Sequence, residues 1–354
     1  MGRALGQLYT RALLLGFVLP CSIACESPDF DPPSEVKGLR ILGLQASAPL
    51  GVPGEDLALD ALWVDARPAE TGEIVAAWFP GCVNPRFGSL ESCVDDLNDL
   101  QREPGANWPA KFAPARGEQY ETTIDPELLA GRKEYGIQYF FFAVCRGSRF
   151  EFAPSQHKTV PLICRDAKGR PVDPPDFRVG FRTVTAIPEP PPIPVGNPDI
   201  IGFDVDGVRY EPHCLGAECI GYQAPNCEEQ DCPRFEPIDP EDDCDSMEAP
   251  EECDATRFRV LVDHESLNVD WAMSSTDELQ GAETYARYYL TGGEVMPQSD
   301  SLYVGGTWGD DSGWDDENQA AVLSEEDVFL WAVVHDSAGG TAWAGLGIRG
   351  TPPE

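Results

Sequence analysis

Two kinds of side chain in this sequence could do chemistry by type and spacing: clustered carboxylates and locally grouped cysteines. Asp239, Glu241, Asp242, Asp243 and Asp245 stand in one short stretch, and Asp204-Val205-Asp206-Gly207 has the beginning of a calcium-loop pattern. A second acidic stretch carries Asp310, Asp311, Asp315 and Asp316 around Trp308 and Trp314. Calcium takes about six to eight oxygens around one point, and carboxylates on a disulfide-fixed loop could supply them. The full Asp-x-Asp-x-Asp-Gly loop is absent, so solvated acidic loops are the default and Ca2+ is the specific alternative. Trp308 and Trp314 beside those carboxylates would also suit recognition of carbohydrate, because loops on rigid β-scaffolds often carry binding.

The chain has 12 cysteines. Ten of them fall in groups along the sequence: Cys82 with Cys93, Cys145 with Cys164, then Cys214, Cys219, Cys227, Cys232, Cys244 and Cys253. No Cys-x2-Cys pair of the zinc type is present. An even number in an oxidising compartment reads as disulfides formed within each group, and the pairing of the last six stays open. The acidic segment that holds those six has few apolar residues, so bridges would replace a core there.

Fragments of catalytic motifs do not assemble. Gly345 to Gly350 matches G-x-G-x-x-G, but a dinucleotide fold needs a helix and a βαβ unit after it, and only Thr351 to Glu354 follow. Gly309-Asp310-Asp311-Ser312-Gly313 and His213 resemble pieces of a trypsin-like site, yet an extra aspartate breaks the loop and no third partner is recognisable. His157, His213, His264 and His335 show no metal-ligand spacing with one another.

The first 25 residues fix the compartment. Arg3 and Arg11 precede an apolar run from Ala12 to Leu19, which is too short to span a bilayer and reads as a secretory leader. Its end, Ser22-Ile23-Ala24-Cys25, resembles a bacterial lipobox, although Ser22 departs from the usual Leu or Val. The resemblance implies lipidation of Cys25, and several acyl chains on one cysteine hold a protein on a membrane stably. Glu26 follows in place of a retaining aspartate, which favours the outer membrane or cell surface.

The formal net charge is -36. Such a surface repels nucleic acid, attracts cations and keeps an exported protein soluble. Abundant glycine and proline with little helical periodicity point to an all-β fold. The elements divide the chain into a leader at 1–24, a lipidated tether at 25–36, a first β-sandwich at 37–186, a Pro-rich linker at 187–198 and a second β-sandwich at 199–350 with a Cys-rich acidic insert at 211–255. Tyr135 to Cys145 is apolar on both faces, so this strand is expected to be central or covered on both sides. Leu90, Val94 and Leu97 have helical spacing after the Cys82–Cys93 loop.

The run VKGLRILGLQASAPLGVPGEDLALDALWVDARP is similar to the opening of immunoglobulin-like domains in myxobacterial-type surface lipoproteins. The last two strands, VFLWAVVH and TAWAGLGI joined by DSAGG, resemble the final hairpin of immunoglobulin-like and PKD-type repeats. The resemblance implies immunoglobulin-like sandwiches on a lipid-anchored surface protein and says little about activity. With no catalytic motif assembled, the expected function is a non-enzymatic binding or scaffolding role in the envelope. The expected partners are the membrane, through the anchor, and an envelope protein or polysaccharide. An exported hydrolase with an unrecognised site and a calcium-stabilised adhesion module are the alternatives.

Overall fold

Period-two alternation of apolar side chains sets most of the secondary structure. The computed structural model describes residues 34–67, 73–102, 115–131, 134–153, 159–191, 195–219, 227, 229–235, 256–267, 283–292, 294–296, 299–304, 307–308, 318–321 and 327–350. In the first half, β1 is Leu39–Ala46, β2 Leu50–Gly51, β3 Asp56–Asp65 and β4 Ile74–Val83, followed by helix α1 at Leu90–Arg102. Then come β5 at Ala115–Arg116, β6 at Gln119–Thr123, β7 at Gly136–Arg146, β8 at Arg149–Phe152, β9 at Leu162–Arg165 and β10 at Phe177–Ala186. They form one sheet ordered β1-β3-β6, a second ordered β2-β10-β7-β4-β5, and the separate hairpin β8-β9. Pairings are antiparallel except that β2 runs parallel to the end of β10, with Leu50 opposite Thr185 and Gly51 opposite Ala186.

One face of each sheet is apolar, and the two faces share a core. Leu39, Leu57, Leu59 and Ala61 from one meet Trp78, Phe140, Phe142, Val144 and Val184 from the other. Trp78 keeps its polar atom satisfied by donating to the Glu118 carbonyl at 2.8 Å.

Strand β7 is both central and covered on both sides. It lies between β10 and β4, and Tyr139, Phe141 and Ala143 on its other face pack with Phe79, Leu97 and Leu162. Helix α1 provides part of that cover. Ser89 caps it by accepting from the Ser92 amide at 3.2 Å, and Leu90, Cys93 and Leu97 turn inward.

In the second half, β11 is Ile200–Val205, β12 Val208–Tyr210, β13 Cys214–Leu215, β14 Thr256–Val262, β15 Glu283–Leu290 and β16 Glu294–Met296. The remainder are β17 at Ser299–Val304, β18 at Thr307–Trp308, β19 at Asn318–Ala321, β20 at Val328–His335 and β21 at Thr341–Ile348. Two sheets result, ordered β12-β11-β14-β19-β16 and β13-β21-β20-β15-β17-β18. Phe203, Phe258 and Val260 from the first pack with Tyr288, Leu330, Ala332, Ala344 and Leu346 from the second. The molecule is therefore predominantly β, with several sheets and α1 as its one α-helix among the described residues. The run LNVDWAM, residues 267–273, reads as a strand in the sequence and lies outside the described residues apart from Leu267.

The opposite face of β20 and β21 is also covered, and its cover comes from the first half. Phe329, Trp331, Val333 and Trp343 pack with Val36, Leu42, Leu62 and Val64. Alternation turns Leu42 to the face opposite Leu39 and Ile41, toward this seam, and the register shift between Ile41 and Gly43 returns Leu44 and Ala46 to the core face. Gly43 allows the close approach, since a Cβ there would stand 2.9 Å from the Trp343 ring. Backbone bonds tie the start of the described chain to the second half. Val36 donates to Leu290 at 2.7 Å and Leu290 to Ser34 at 2.9 Å, so Ser34 and Val36, in the segment read as tether, are buried. Asn197, at the end of the proline spacer, donates to the Ala46 carbonyl at 2.8 Å and accepts from the Thr341 amide at 3.0 Å. The described residues of both halves belong to one compact unit.

Candidate functional site

The cysteines meet within their groups. Disulfides join Cys82 to Cys93, Cys145 to Cys164, Cys214 to Cys219 and Cys227 to Cys232. Cys25, Cys244 and Cys253 lie outside the described residues, as do Asp239, Glu241, Asp242, Asp243, Asp245, Asp310, Asp311, Trp314, Asp315 and Asp316. The backbone of Trp308 pairs with Tyr303 in the β17–β18 hairpin. Among the described residues no three His, Cys, Asp or Glu side chains gather as metal ligands would.

The other sequence fragments have structural partners. Asp204 accepts the Gly207 amide at 2.9 Å, and Asp206 accepts the Arg257 amide at 3.0 Å. These carboxylates serve the β11–β12 turn, where Asp206 has φ 48° and Gly207 φ 77°. His213 accepts the Gly347 amide on Nδ1 at 2.9 Å, and burial lowers its pKa, so it is a strand partner of β21. The first two glycines of G-x-G-x-x-G, Gly345 and Gly347, lie in β21 itself, where Gly345 makes room for the Phe329 ring.

A different constellation stands where the halves meet. Along β10, positions 178, 180, 182, 184 and 186 share one face, which carries the side chains of Arg178, Arg182, Val184 and Ala186 and is bare at Gly180. Val184 and Ala186 enter the core. Gly180 lies over β1, where a Cβ would come within 2.9 Å of Leu44. Arg178 and Arg182 therefore flank the point of closest approach and are half-buried beside it. Arg178 donates to the carbonyls of Pro174 at 2.6 Å and Phe177 at 3.1 Å. Arg182 crosses to the β20–β21 turn, donating to Thr341 Oγ1 at 3.1 Å and to the Gly339 carbonyl. Its Nε is closed off from water and has no acceptor among the described residues.

Strand β15, paired with β20, brings further tyrosines and an arginine to the second half's side of the seam. Its alternation places Tyr285, Arg287 and Tyr289 on the seam side, while Ala286, Tyr288 and Leu290 enter the core. The Arg287 guanidinium lies 5.4 Å from the Tyr285 ring centre, and Tyr285 lies 5.0 Å from the His335 ring, tilted by 31°. His335 Nδ1 is 3.3 Å from Thr341 Oγ1. Arg40 on β1 donates to the Glu35 carbonyl at 3.0 Å and lies close enough to influence both Arg178 and Tyr289.

The charges in this patch act on one another. Burial lowers the Arg178 pKa, with Arg40 and Arg67 adding to the effect and Asp176 opposing it. Burial pushes Arg182 down to about 10, against the pull of Asp336, so it stays charged at neutral pH. Burial pushes His335 down to about 4, helped by Arg287 and Arg182, so it is neutral there. Burial raises the Tyr289 hydroxyl, while Arg287 and Arg40 draw it back. On a chain of net charge -36, this edge is a local concentration of positive charge between tyrosine faces. Guanidinium groups of this kind suit charge-assisted hydrogen bonds to an anionic group, and tyrosine faces suit its apolar parts.

Among the described residues, the patch borders a strand edge that is unpaired over most of its length. Strand β10 pairs with β7 along its length, but on its other side β2 reaches only Thr185 and Ala186. Val179 and Phe181, on the face opposite the arginines, are 37% and 46% exposed.

RVGFRTVT and TYARYYL both alternate as strands do, and nothing in that alternation marks their arginines as a site. The available signal was arginines four apart in RVGFR, which share a face on a strand, and the Tyr-x-Arg-x-Tyr spacing in TYARYY. Nothing local in the sequence says that these faces meet.

No family model matches the chain, and no curated relative does. Among solved structures, the chain is similar to dimeric latent PorU from Porphyromonas gingivalis, at 9% identity and TM-score 0.20, over 90% of this chain and 24% of that one. It is also similar to the three N-terminal domains of the Highly Immunogenic Outer Capsid protein of bacteriophage RB49, at 6% identity and TM-score 0.16, over 90% of this chain and 100% of that one. The chain thus spans about a quarter of the PorU chain it is compared with.

Proposed function

We propose that the chain is a lipid-anchored protein of the bacterial cell envelope, non-enzymatic, with a binding or scaffolding role carried by two immunoglobulin-like β-sandwiches. Four disulfides among the described residues fit a protein made for an oxidising, extracytoplasmic compartment. The leader and Cys25 supply export and the anchor. Strand order supports the immunoglobulin-like arrangement. In the first half the opening strand is split, β1 pairing with β3 in one sheet and β2 running parallel to the last strand in the other. A buried tryptophan, Trp78, sits on the third long strand, β4, in the sheet that also holds β7 and β10. In the second half β11-β14-β19-β16 faces β21-β20-β15-β17 in the same manner.

The observation that carries the binding role is the cationic, tyrosine-bearing seam edge on a strongly acidic chain. Its partner is an anionic component of the envelope.

The test has two parts. Full-length chain made in a lipoprotein-processing bacterium with labelled palmitate should carry the label, and Cys25→Ala should lose both label and membrane association. Oxidised full chain should sediment with isolated envelopes, and Arg178→Glu combined with Arg287→Glu should weaken that binding at least tenfold at unchanged melting temperature. Equal binding by the double variant would remove the seam edge from the proposal.

A further inference from the structure

The open side of β10 has a direction and a chemistry. The Thr185 amide points away from β7, toward the Pro49 carbonyl. By the period of two, the amides and carbonyls of Phe177, Val179, Phe181 and Thr183 point the same way. No described strand pairs with them. Edges of this kind are usually blunted by charge, proline or a covering segment. Here Val179 and Phe181 are exposed on one side of the edge, and Arg178 and Arg182 stand on the other.

A second copy of the chain does not fit. Antiparallel self-pairing centred on Gly180 would set Arg178 opposite Arg182 of the other copy, a like-charge pair. Two molecules of net charge -36 also repel at range.

We propose that β10 accepts an extended acidic segment of a partner protein by strand addition along Phe177 to Val184. This rests on the seam edge being the contact surface. In such a pairing, partner residues opposite Val179 and Phe181 are apolar, and those opposite Arg178 and Arg182 are Asp or Glu. The partner motif is acidic, apolar, any, apolar, acidic. Main-chain bonds give the affinity and the alternating side chains the selectivity.

The probe is a labelled synthetic peptide with glutamates four apart and valines at the positions next to them, titrated into oxidised full chain in detergent. Saturable binding is expected, with slowed amide exchange confined to Phe177–Val184. N-methylation of the peptide amides that face β10 should weaken binding at least tenfold. Arg178→Glu should lose the glutamate peptide and gain a version with lysine at the facing position, a reversal that loss of structure alone would not produce. If the N-methylated peptide binds equally, or the protection falls elsewhere, strand addition is overturned. If polygalacturonate binds and the peptide does not, with binding lost in Arg178→Glu, the ligand is a glycan and only the contact surface survives. If neither binds, and the double variant still sediments with envelopes, both proposals fall.

Discussion

At the scale of single residues, buried charge shows which groups the fold depends on. The Asp65 carboxylate is almost fully buried and accepts from Arg67 Nε at 2.9 Å and from Arg146 Nε. Burial alone would raise its pKa, but the hydrogen bonds from the two arginines prevail and hold it below the usual range. Its folded pKa is lowered, so its contribution is present above about pH 4 and is lost as pH falls through the lowered value. Asp65→Asn leaves buried guanidinium without its counter-charge and should cost about 3 kcal/mol or more in urea unfolding at pH 7. That difference from wild type should shrink as pH falls below about 4.

His335 behaves as a buried base. Its folded pKa is about 4 because of burial and then Arg287 and Arg182. Its stabilising contribution is therefore complete above the ordinary histidine value and declines as pH falls toward 4. The loss should reach no more than about 3 kcal/mol, and His335→Asn should flatten the stability profile between pH 6.5 and pH 4. Cysteine grouping was legible in the sequence because these bridges close short loops. The arginine patch was not, because its members sit on strands far apart in the chain.

At the scale of elements, composition decided what could be foreseen. The double-faced apolar pattern of GIQYFFFAVC required cover on both sides, and β7 has it. The spacing of Leu90, Val94 and Leu97 located helix α1, and the Cys82–Cys93 bridge fastens it to the end of β4. Closing that loop is worth about 3 kcal/mol on a chain-entropy account. Replacing both cysteines by serine should cost about that much and should raise amide exchange in α1 well before β7. The two-residue strands β2, β5, β13 and β18 left no pattern to read, since alternation cannot be established over two positions. Yet among the described residues β2 is the strand that pairs with that side of β10, and it reaches only Thr185 and Ala186.

At the scale of the molecule, the proline-rich spacer reads as a device that holds two bodies apart, and hydrophobic alternation says nothing about what their outer faces meet. The sign was present in β3. Leu62 and Val64 are apolar where a solvent-facing side would be polar, and both enter the seam. Gly43 sets the spacing of that seam against Trp343 and Val333. Gly43→Val should cost about 1–3 kcal/mol by overpacking, and it should lower the melting of both halves together, read by calorimetry as one shifted transition. A change confined to the first half would mean that the seam does not couple them.

The seam also creates the surface on which the functional account stands, because β10, β15 and the β20–β21 turn bring their arginines and tyrosines together only when the halves are joined. The most direct measurement is amide exchange on oxidised full chain, alone and with isolated envelopes. Protection is expected to centre on Phe177–Val184 and to include β15, and to be abolished by Arg178→Glu with Arg287→Glu. Protection centred on another surface, or unchanged in that variant, would contradict the account.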